Sequence, residues 1–118
     1  MKQEIANLWI DALESDKYKQ CTNQLRKGNS FCCLGVLTDL YLKKGNPGAW
    51  TPFDIFMEDN DFGNTCRNFL PEDVIKWSGM KSNAGLVGSL SLKLAELNDN
   101  GKSFKEIAKV IRENVDIL

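Results

Sequence analysis

Apolar residues recur at helical spacing near both ends of the chain. Within positions 2–14 the apolar side chains follow the i, i+3, i+4, i+7, i+8 pattern of one helix face; they are Ile5, Leu8, Trp9, Ala12 and Leu13. Near the other end, Ser103 is followed three residues later by Glu106, which is a capping box, and apolar residues then continue at the same spacing. Both segments are predicted to be helices, the second of about three turns.

Two more helices are predicted in the interior of the chain. The segment 33–44, Cys-Leu-Gly-Val-Leu-Thr-Asp-Leu-Tyr-Leu-Lys-Lys, carries a wide apolar arc and ends before Gly45, so it is predicted to be the central core helix. A brief helix is predicted to begin at Pro71, because Glu72 and Asp73 fall in its first turn, and to end at Ser78-Gly79.

The remaining segments carry weaker signals. Tyr18 to Leu25, followed by Phe31-Cys32, predicts a hairpin around a Gly28-Asn29 turn. A strand is expected near Trp50 to Phe56, a loop at 59–64 and another short strand near 66–69. Residues 81–97 contain Gly and Ser, strand-like alternation and helical spacing, so the sequence does not decide whether they form helix, strand or loop. The residues Asn-Asp-Asn-Gly at 98–101 predict a turn.

These elements predict an α+β fold in one small domain, residues 1–118, with three to four helices packed on a short antiparallel β-sheet or hairpin. The composition agrees, because 118 residues with 42% hydrophobic and 26% charged side chains are typical of a chain with one core. No internal repeat, low-complexity tract or domain boundary is visible.

Charge and terminal sequence limit the partners. Fifteen basic and sixteen acidic side chains give a net charge of -1, which disfavours nucleic acid as a partner because no global field attracts phosphates. The first ten residues lack the apolar run of a signal peptide, and eighteen apolar residues never run together. We therefore expect a cytoplasmic protein with no membrane partner.

The chain contains no histidine, which removes the usual base for activating Ser or Cys and the commonest metal ligand. Its four cysteines are separated by eleven, one and thirty-three positions, unlike the paired knuckles of a four-cysteine zinc site. They are expected to be reduced thiols, most of them packed in the core. We predict no metal, no cofactor and no assigned catalytic residue, and a non-catalytic function is favoured over an enzyme.

One of the four thiols, that of Cys33, is a candidate nucleophile. Cys33 falls at the predicted N-terminus of the core helix, where the helix dipole lowers a thiol pKa. The apolar residues Leu34, Val36 and Leu37 follow it directly, so packing in the core is the favoured alternative.

Several aromatic, arginine and amide side chains fall in turn-rich segments, where such groups commonly hold a ligand or a protein partner. These candidate binding residues are Tyr18, Gln20, Arg26, Trp50, Arg67, Asn98 and Asp99.

Motifs along nearly the whole chain resemble a family of small uncharacterised proteins from bacteriophages and prophages. The most distinctive are Cys-Cys-Leu-Gly-Val-Leu at 32–37, and Asn-Asp at 98–99 ahead of Ser-Phe-Lys-Glu-Ile-Ala at 103–108. Further matches are Trp9 to Ser15, Tyr18 to Gln20, Leu25, Leu70-Pro71 and Trp77. The chain departs from the family pattern in a longer middle segment, roughly 46–64.

The resemblance implies a bacteriophage accessory protein that acts by stoichiometric binding in the host cytoplasm. Its expected role is counter-defence, either inhibition of a host defence protein or sequestration of a small signalling molecule. The oligomeric state, including a homo-oligomer, stays open.

Two alternatives remain. The first is a small cysteine-dependent enzyme or redox protein that uses Cys33 or Cys32, aided by Asp39 or Asp99. The second is a nucleic-acid-binding protein whose basic hairpin gathers Lys17, Lys19, Arg26 and Lys27 into one patch.

Overall fold

The structure, a computed structural model, describes residues 1–59, 64–87 and 92–118. These residues form five helices: α1 Gln3–Glu14, α2 Cys33–Lys43, α3 Glu72–Ser78, α4 Leu94–Asp99 and α5 Phe104–Glu113. Their strands are β1 Lys19–Gln20, β2 Arg26–Lys27, β3 Ser30–Phe31, β4 Gly48–Trp50, β5 Phe56–Glu58, β6 Thr65–Cys66, β7 Leu86–Val87 and β8 Leu92–Lys93. The α+β prediction is confirmed.

Helix α2 lies at the centre of the core, packed against α1, α3 and α4, while α5 packs along α1. Trp9 of α1 is fully buried, and its Nε1 donates a 2.9 Å hydrogen bond to the carbonyl oxygen of Cys33. This bond fixes the position of α1 relative to the first turn of α2. At the start of α5, the predicted capping box between Ser103 and Glu106 is present.

A close backbone contact sets the position of the chain around α2. Leu25 is fully buried, and a Cβ added at Gly35 would lie 1.8 Å from the Leu25 carbonyl oxygen. The same oxygen accepts a 3.0 Å hydrogen bond from Cys32 N, and Leu25 N donates to the Arg67 oxygen at 2.7 Å. Only glycine at position 35 permits this approach.

The first sheet has the strand order β1-β3-β2. Strands β2 and β3 form the antiparallel hairpin predicted at Gly28-Asn29, but β1 pairs with β3 in parallel as a separate strand. The predicted long first strand is interrupted because Asn23 adopts a φ of 68° and takes the chain out of the extended conformation.

The second sheet is antiparallel, in the order β4-β5-β6. The segment from Trp50 to Phe56 was expected as one strand and is instead a reversal, with Trp50 paired to Phe56 across it. The residue that makes the reversal is Asp54, which has a φ of 60°. Most of the loop predicted at 59–64 falls on residues 60–63, which lie outside the described part of the chain.

The segment with undecided periodicity contains both kinds of element. Strand β8 pairs with β7 in the third sheet and is followed at once by helix α4. Residues 88–91 of the predicted Gly/Ser-rich loop lie outside the described residues. The turn predicted at 98–101 begins later than expected, because Asn98 and Asp99 still belong to α4.

Within residues 1–59, 64–87 and 92–118, none of the helices has the length and apolar character that crossing a membrane requires.

Replacing Gly35 with alanine tests the contact with Leu25. Helix propensity alone favours alanine by about 1 kcal/mol. We instead expect Gly35→Ala to lower the free energy of unfolding by about 3 kcal/mol, because the new methyl group overlaps a buried carbonyl. Urea unfolding followed by circular dichroism measures the change. The control is Gly45→Ala, at a φ of 86° with open space around it, which should cost only about 1 kcal/mol. A Gly35→Ala variant as stable as the parent would contradict the packing described.

Candidate binding site

The candidate binding residues divide into groups with different environments. Gln20, Asn98 and Asp99 lie where α4 meets the start of α2, and their polar atoms bond to the protein itself. Tyr18, Arg26 and Trp50 lie together with aromatic rings on another part of the molecule, and Arg67 joins neither group through its side chain.

Asn98 is fully buried and connects three segments. Its Oδ1 accepts hydrogen bonds from Cys33 N at 3.0 Å and from Gln20 Nε2 at 2.9 Å. Its Nδ2 donates to the Cys21 carbonyl oxygen at 2.8 Å. Asn98 therefore satisfies a free N–H group in the first turn of α2 and holds β1 beside it, which is a structural role.

The neighbours of Asn98 continue this junction. Asp99 Oδ1 accepts a 2.8 Å hydrogen bond from Asn23 N, and Gln20 Nε2 also donates to the Lys102 carbonyl oxygen at 2.7 Å. These hydrogen bonds attach Gln20 and Asp99 to other segments of the same chain.

Asp39 organises the second group. Its Oδ2 accepts a 2.7 Å hydrogen bond from the Tyr18 hydroxyl, and its Oδ1 accepts one of 3.3 Å from Trp50 Nε1. Lys43, one turn further along α2, lies 3.3 Å from Asp39 Oδ2 and donates to the Tyr18 oxygen at 2.8 Å. The sequence had suggested Asp39 only as an aid to a cysteine; its signal as an organiser is that its carboxylate adjoins the apolar arc of α2.

Charges in this network favour a neutral tyrosine beside a lysine cation. Burial raises the pKa of Tyr18, opposed by the hydrogen bond from Lys43. The pKa of Lys43 is raised in turn, chiefly by its hydrogen bond to Tyr18. At neutral pH the hydroxyl therefore remains a donor to Asp39, and the lysine remains charged.

Aromatic rings form a continuous row beside Asp39. Tyr18 and Phe31 lie 5.3 Å apart between ring centroids, Phe31 and Trp50 5.9 Å, and Trp50 and Phe56 5.4 Å, all edge to face. Phe56 is fully buried, so the row extends from the core to the surface. Such contacts restrict each ring to one orientation.

Arg26 covers this row. Its guanidinium carbon lies 5.7 Å from the Phe31 ring centroid and 5.6 Å from that of Trp50, both within cation–π distance. Arg26 Nε donates to the Gly28 carbonyl oxygen at 2.9 Å and lies 3.8 Å from Asp54 Oδ1. The Arg26 side chain is 28% exposed.

An apolar groove of about 420 Å³ continues from Trp50 along the β4–β5 hairpin. Its lining residues are Trp50, Thr51, Pro52, Phe53, Ile55, Met57 and Thr65. Phe53 is 75% exposed although it is a large apolar side chain. Its backbone is held in place, because Phe53 N donates to Thr51 Oγ1 at 3.3 Å. We call the surface formed by Tyr18, Arg26, Phe31, Trp50 and Phe53 the aromatic face.

Phe53 was not among the binding candidates from the sequence, because the segment was interpreted as a strand in which it would be one of several packed apolar residues. Arg67 was a candidate, and it lies exposed just after β6. Its backbone oxygen receives Leu25 N, while its side chain has no hydrogen bond or ion pair with the part of the chain that the structure describes.

The candidate thiol at Cys33 lies in the core. Its side chain is 0% exposed, and its Sγ lies 3.6 Å from the Leu94 carbonyl oxygen, to which the thiol donates. Burial raises the pKa of Cys33 well above its usual value. The adjacent Cys32 accepts from Gly35 N at 3.4 Å as the N-cap of α2, and burial raises its pKa to about 12. Desolvation thus outweighs the helix dipole, and neither environment fits a reactive thiolate.

The basic residues of the first sheet point in different directions. Lys19, Ser30 and Lys27 are partners across the sheet and share one of its faces. Arg26 pairs with Phe31 and belongs to the opposite face, where it covers the aromatic row. The single patch that the nucleic-acid alternative requires is therefore divided.

No cluster of three or more cysteine, aspartate or glutamate side chains suited to a metal ion occurs within the described ranges.

Fold and site together define a small α+β protein with a buried polar junction at Asn98 and an exposed aromatic face. The chain belongs to the family described as Domain of unknown function (DUF8296), whose model matches residues 1–115. Searches of curated proteins and of solved structures gave no significant match.

Substitution of Asn98 tests its structural role. We expect Asn98→Ala to lower the free energy of unfolding by about 3 kcal/mol, because it leaves the buried N–H of Cys33 and the partly buried carbonyl of Cys21 without their partner. Asp99→Ala is the matched control and removes one hydrogen bond at the surface, so it should cost at most about 1 kcal/mol. Chemical denaturation of both variants measures the change in the free energy of unfolding. An equal loss of stability in the two variants would contradict the structural role of Asn98.

Thiol labelling tests the environment of the cysteines. With native protein and iodoacetamide at pH 8, we expect Cys32 and Cys33 to stay unmodified, because both thiols are buried and burial raises the pKa of each. At a pKa of about 12, Cys32 is ionised in only about one molecule in ten thousand. In concentrated urea all four cysteines should react. Peptide mass spectrometry locates the modified residues. Labelling of native Cys33 as fast as in urea would restore the cysteine-enzyme alternative.

Proposed function

We propose that this protein acts by stoichiometric binding of a protein partner through the aromatic face, and that its setting is bacteriophage counter-defence in the host cytoplasm. The setting is supported by the resemblance of the 32–37 and 98–108 motifs to small phage and prophage proteins. The mode of action is supported by the surface itself.

The observation that carries the proposal is the exposure of Phe53 beside an apolar groove. A phenylalanine that is 75% exposed contributes little to the core, and apolar surface of this kind marks contact sites when it adjoins a groove. Trp50 and Arg26 are residue types that commonly dominate the binding energy of protein interfaces. Here Trp50 lines the groove, and Arg26 lies over the Trp50 ring.

Rigidity of the aromatic face favours binding further. Trp50 is fixed by its hydrogen bond to Asp39 and by its contacts with Phe31 and Phe56. A side chain that is already ordered loses little entropy when a partner covers it. The face therefore has the preorganisation that a tight inhibitor requires.

A protein partner is favoured over a small signalling molecule. Sites for small ligands enclose most of the ligand and place polar groups against it. The groove is instead open and almost wholly apolar, as expected of a surface that receives side chains from another protein.

The proposal is tested by comparing Phe53→Ser with Phe69→Ser. Phe69 is also exposed, at 49%, but lines a separate cleft of about 190 Å³ with Cys32 and Asn68. Affinity-tagged protein is incubated with lysate of the bacterial host, and captured proteins are quantified by mass spectrometry. We expect one host protein whose capture falls at least about tenfold with Phe53→Ser, as for an interface hot spot, and changes less than twofold with Phe69→Ser.

The captured protein is then purified, and light scattering of the mixture should show a complex of fixed stoichiometry. Equal capture by the parent and Phe53→Ser would contradict the role of the aromatic face. Catalytic turnover of the partner would contradict stoichiometric binding.

A further inference from the structure

We infer that the aromatic face recognises a protein segment in which a large apolar side chain is followed or preceded closely by a carboxylate: the apolar group enters the groove and the carboxylate pairs with Arg26. This inference rests on the proposed function and specifies the chemistry of the partner.

Arg26 has unused hydrogen-bonding capacity in a fixed position. Its Nε is engaged by Gly28, but its two terminal nitrogens have no hydrogen-bond acceptor among the residues that the structure describes. The side chain is 28% exposed, and these unpartnered nitrogens are not among its buried atoms, so they are accessible from solvent. Paired terminal N–H groups match the two oxygens of a carboxylate.

Two rings hold the guanidinium where a partner can reach it. Phe31 and Trp50 lie at nearly equal distances beneath Arg26, 5.7 and 5.6 Å. Stacking of this kind orders the side chain before binding, and lysine does not reproduce the planar fork. A carboxylate that pairs with Arg26 therefore encounters an oriented donor.

Trp50 links the two contacts. Its ring lies under Arg26 and also lines the groove beside Phe53. Since an extended chain advances by about 3.3–3.6 Å per residue, one to three positions are enough to place one side chain in the groove and another on Arg26. A short continuous segment thus satisfies both sites.

The charges around Arg26 favour a carboxylate over a phosphate. Asp54 lies 3.8 Å from Arg26, so part of the positive charge is already balanced. Lys43, the cation beside Tyr18, is engaged by Asp39 and Tyr18. A doubly charged phosphate would find one partly neutralised arginine, whereas a singly charged carboxylate matches it. The groove also offers few free polar atoms, because Thr51 Oγ1 already accepts from Phe53 N and Ile55 N.

The test begins with selection of a displayed library of random linear peptides on the immobilised full chain. We expect enrichment of peptides that carry a large apolar residue within three positions of Asp or Glu. An enriched peptide is then synthesised with a fluorescent label, with its acidic residue either retained or replaced by the matching amide. Fluorescence anisotropy measures the binding of each to the parent protein and to Arg26→Met.

The amide replacement should weaken binding to the parent about tenfold or more, and binding to Arg26→Met less than twofold, which is the signature of a direct pair. Arg26→Lys should recover only part of the loss. The control is Arg112→Met, which removes an arginine paired with Glu14 between α1 and α5 and should behave as the parent. Circular dichroism and urea unfolding of each variant check that the fold is kept.

Peptides that bind through Phe53 without any preference for a carboxylate would overturn this inference and leave the proposed function standing. Failure of any peptide to bind, although a host protein is captured in a Phe53-dependent manner, would overturn it as well, because the recognised surface would not be a short segment. Binding of a fluorescent ATP or cyclic dinucleotide analogue to the parent but not to Arg26→Met, with no enriched peptide, would show a nucleotide site and overturn the inference. Absence of both peptide and Phe53-dependent protein binding would overturn the inference and the proposed function together.

Discussion

The contact between the Leu25 carbonyl and Gly35 is the constraint on which the arrangement of the surface depends. Leu25 immediately precedes β2, and its oxygen also receives the N–H of Cys32, which immediately follows β3. Both ends of the β2–β3 hairpin are therefore fixed to the first turn of α2. Because Arg26 and Phe31 are the adjacent residues of these strands, their position over Trp50 follows from packing deep in the core.

The parts of the fold that the sequence predicts are those with a long period or a specific terminal signal. Helices α1, α2 and α5 span ten to twelve residues and carry an amphipathic pattern or a capping box, so their bounds are recovered within a residue or two. Strands of two or three residues are too short to show alternation. Their pairing depends on left-handed backbone at Asn23 and Asp54, and neither residue type requires that conformation.

The sequence indicates which polar and aromatic residues lie in turn-rich segments, but not the direction in which their side chains point. Asn98 and Gln20 are polar residues in or near predicted turns, but their amides face inward because the first turn of α2 needs hydrogen-bond partners. The exposure of Phe53 depends on the reversal at Asp54, which spacing alone does not reveal. Cys33 differs from these residues, because the apolar residues that follow it already favoured a position in the core, where it lies; only its contact with the Leu94 carbonyl oxygen depends on how α4 packs against α2.

Arg26 of the aromatic face and Lys43 beside it have different functions because their partners differ. Lys43 lies near both Asp39 and Tyr18. Its charge therefore helps to orient the Tyr18 ring and stabilises the Asp39 carboxylate, which accepts the hydrogen bond from Trp50. Arg26 lies farther from Asp54, its acidic neighbour among the described residues, and its Nε bonds to a backbone oxygen. The network around Asp39 consequently makes the surface rigid without consuming Arg26. A partner gains the full benefit of a desolvated pair there only if apolar groups also exclude water, and Trp50 and Phe53 supply that condition at the same place.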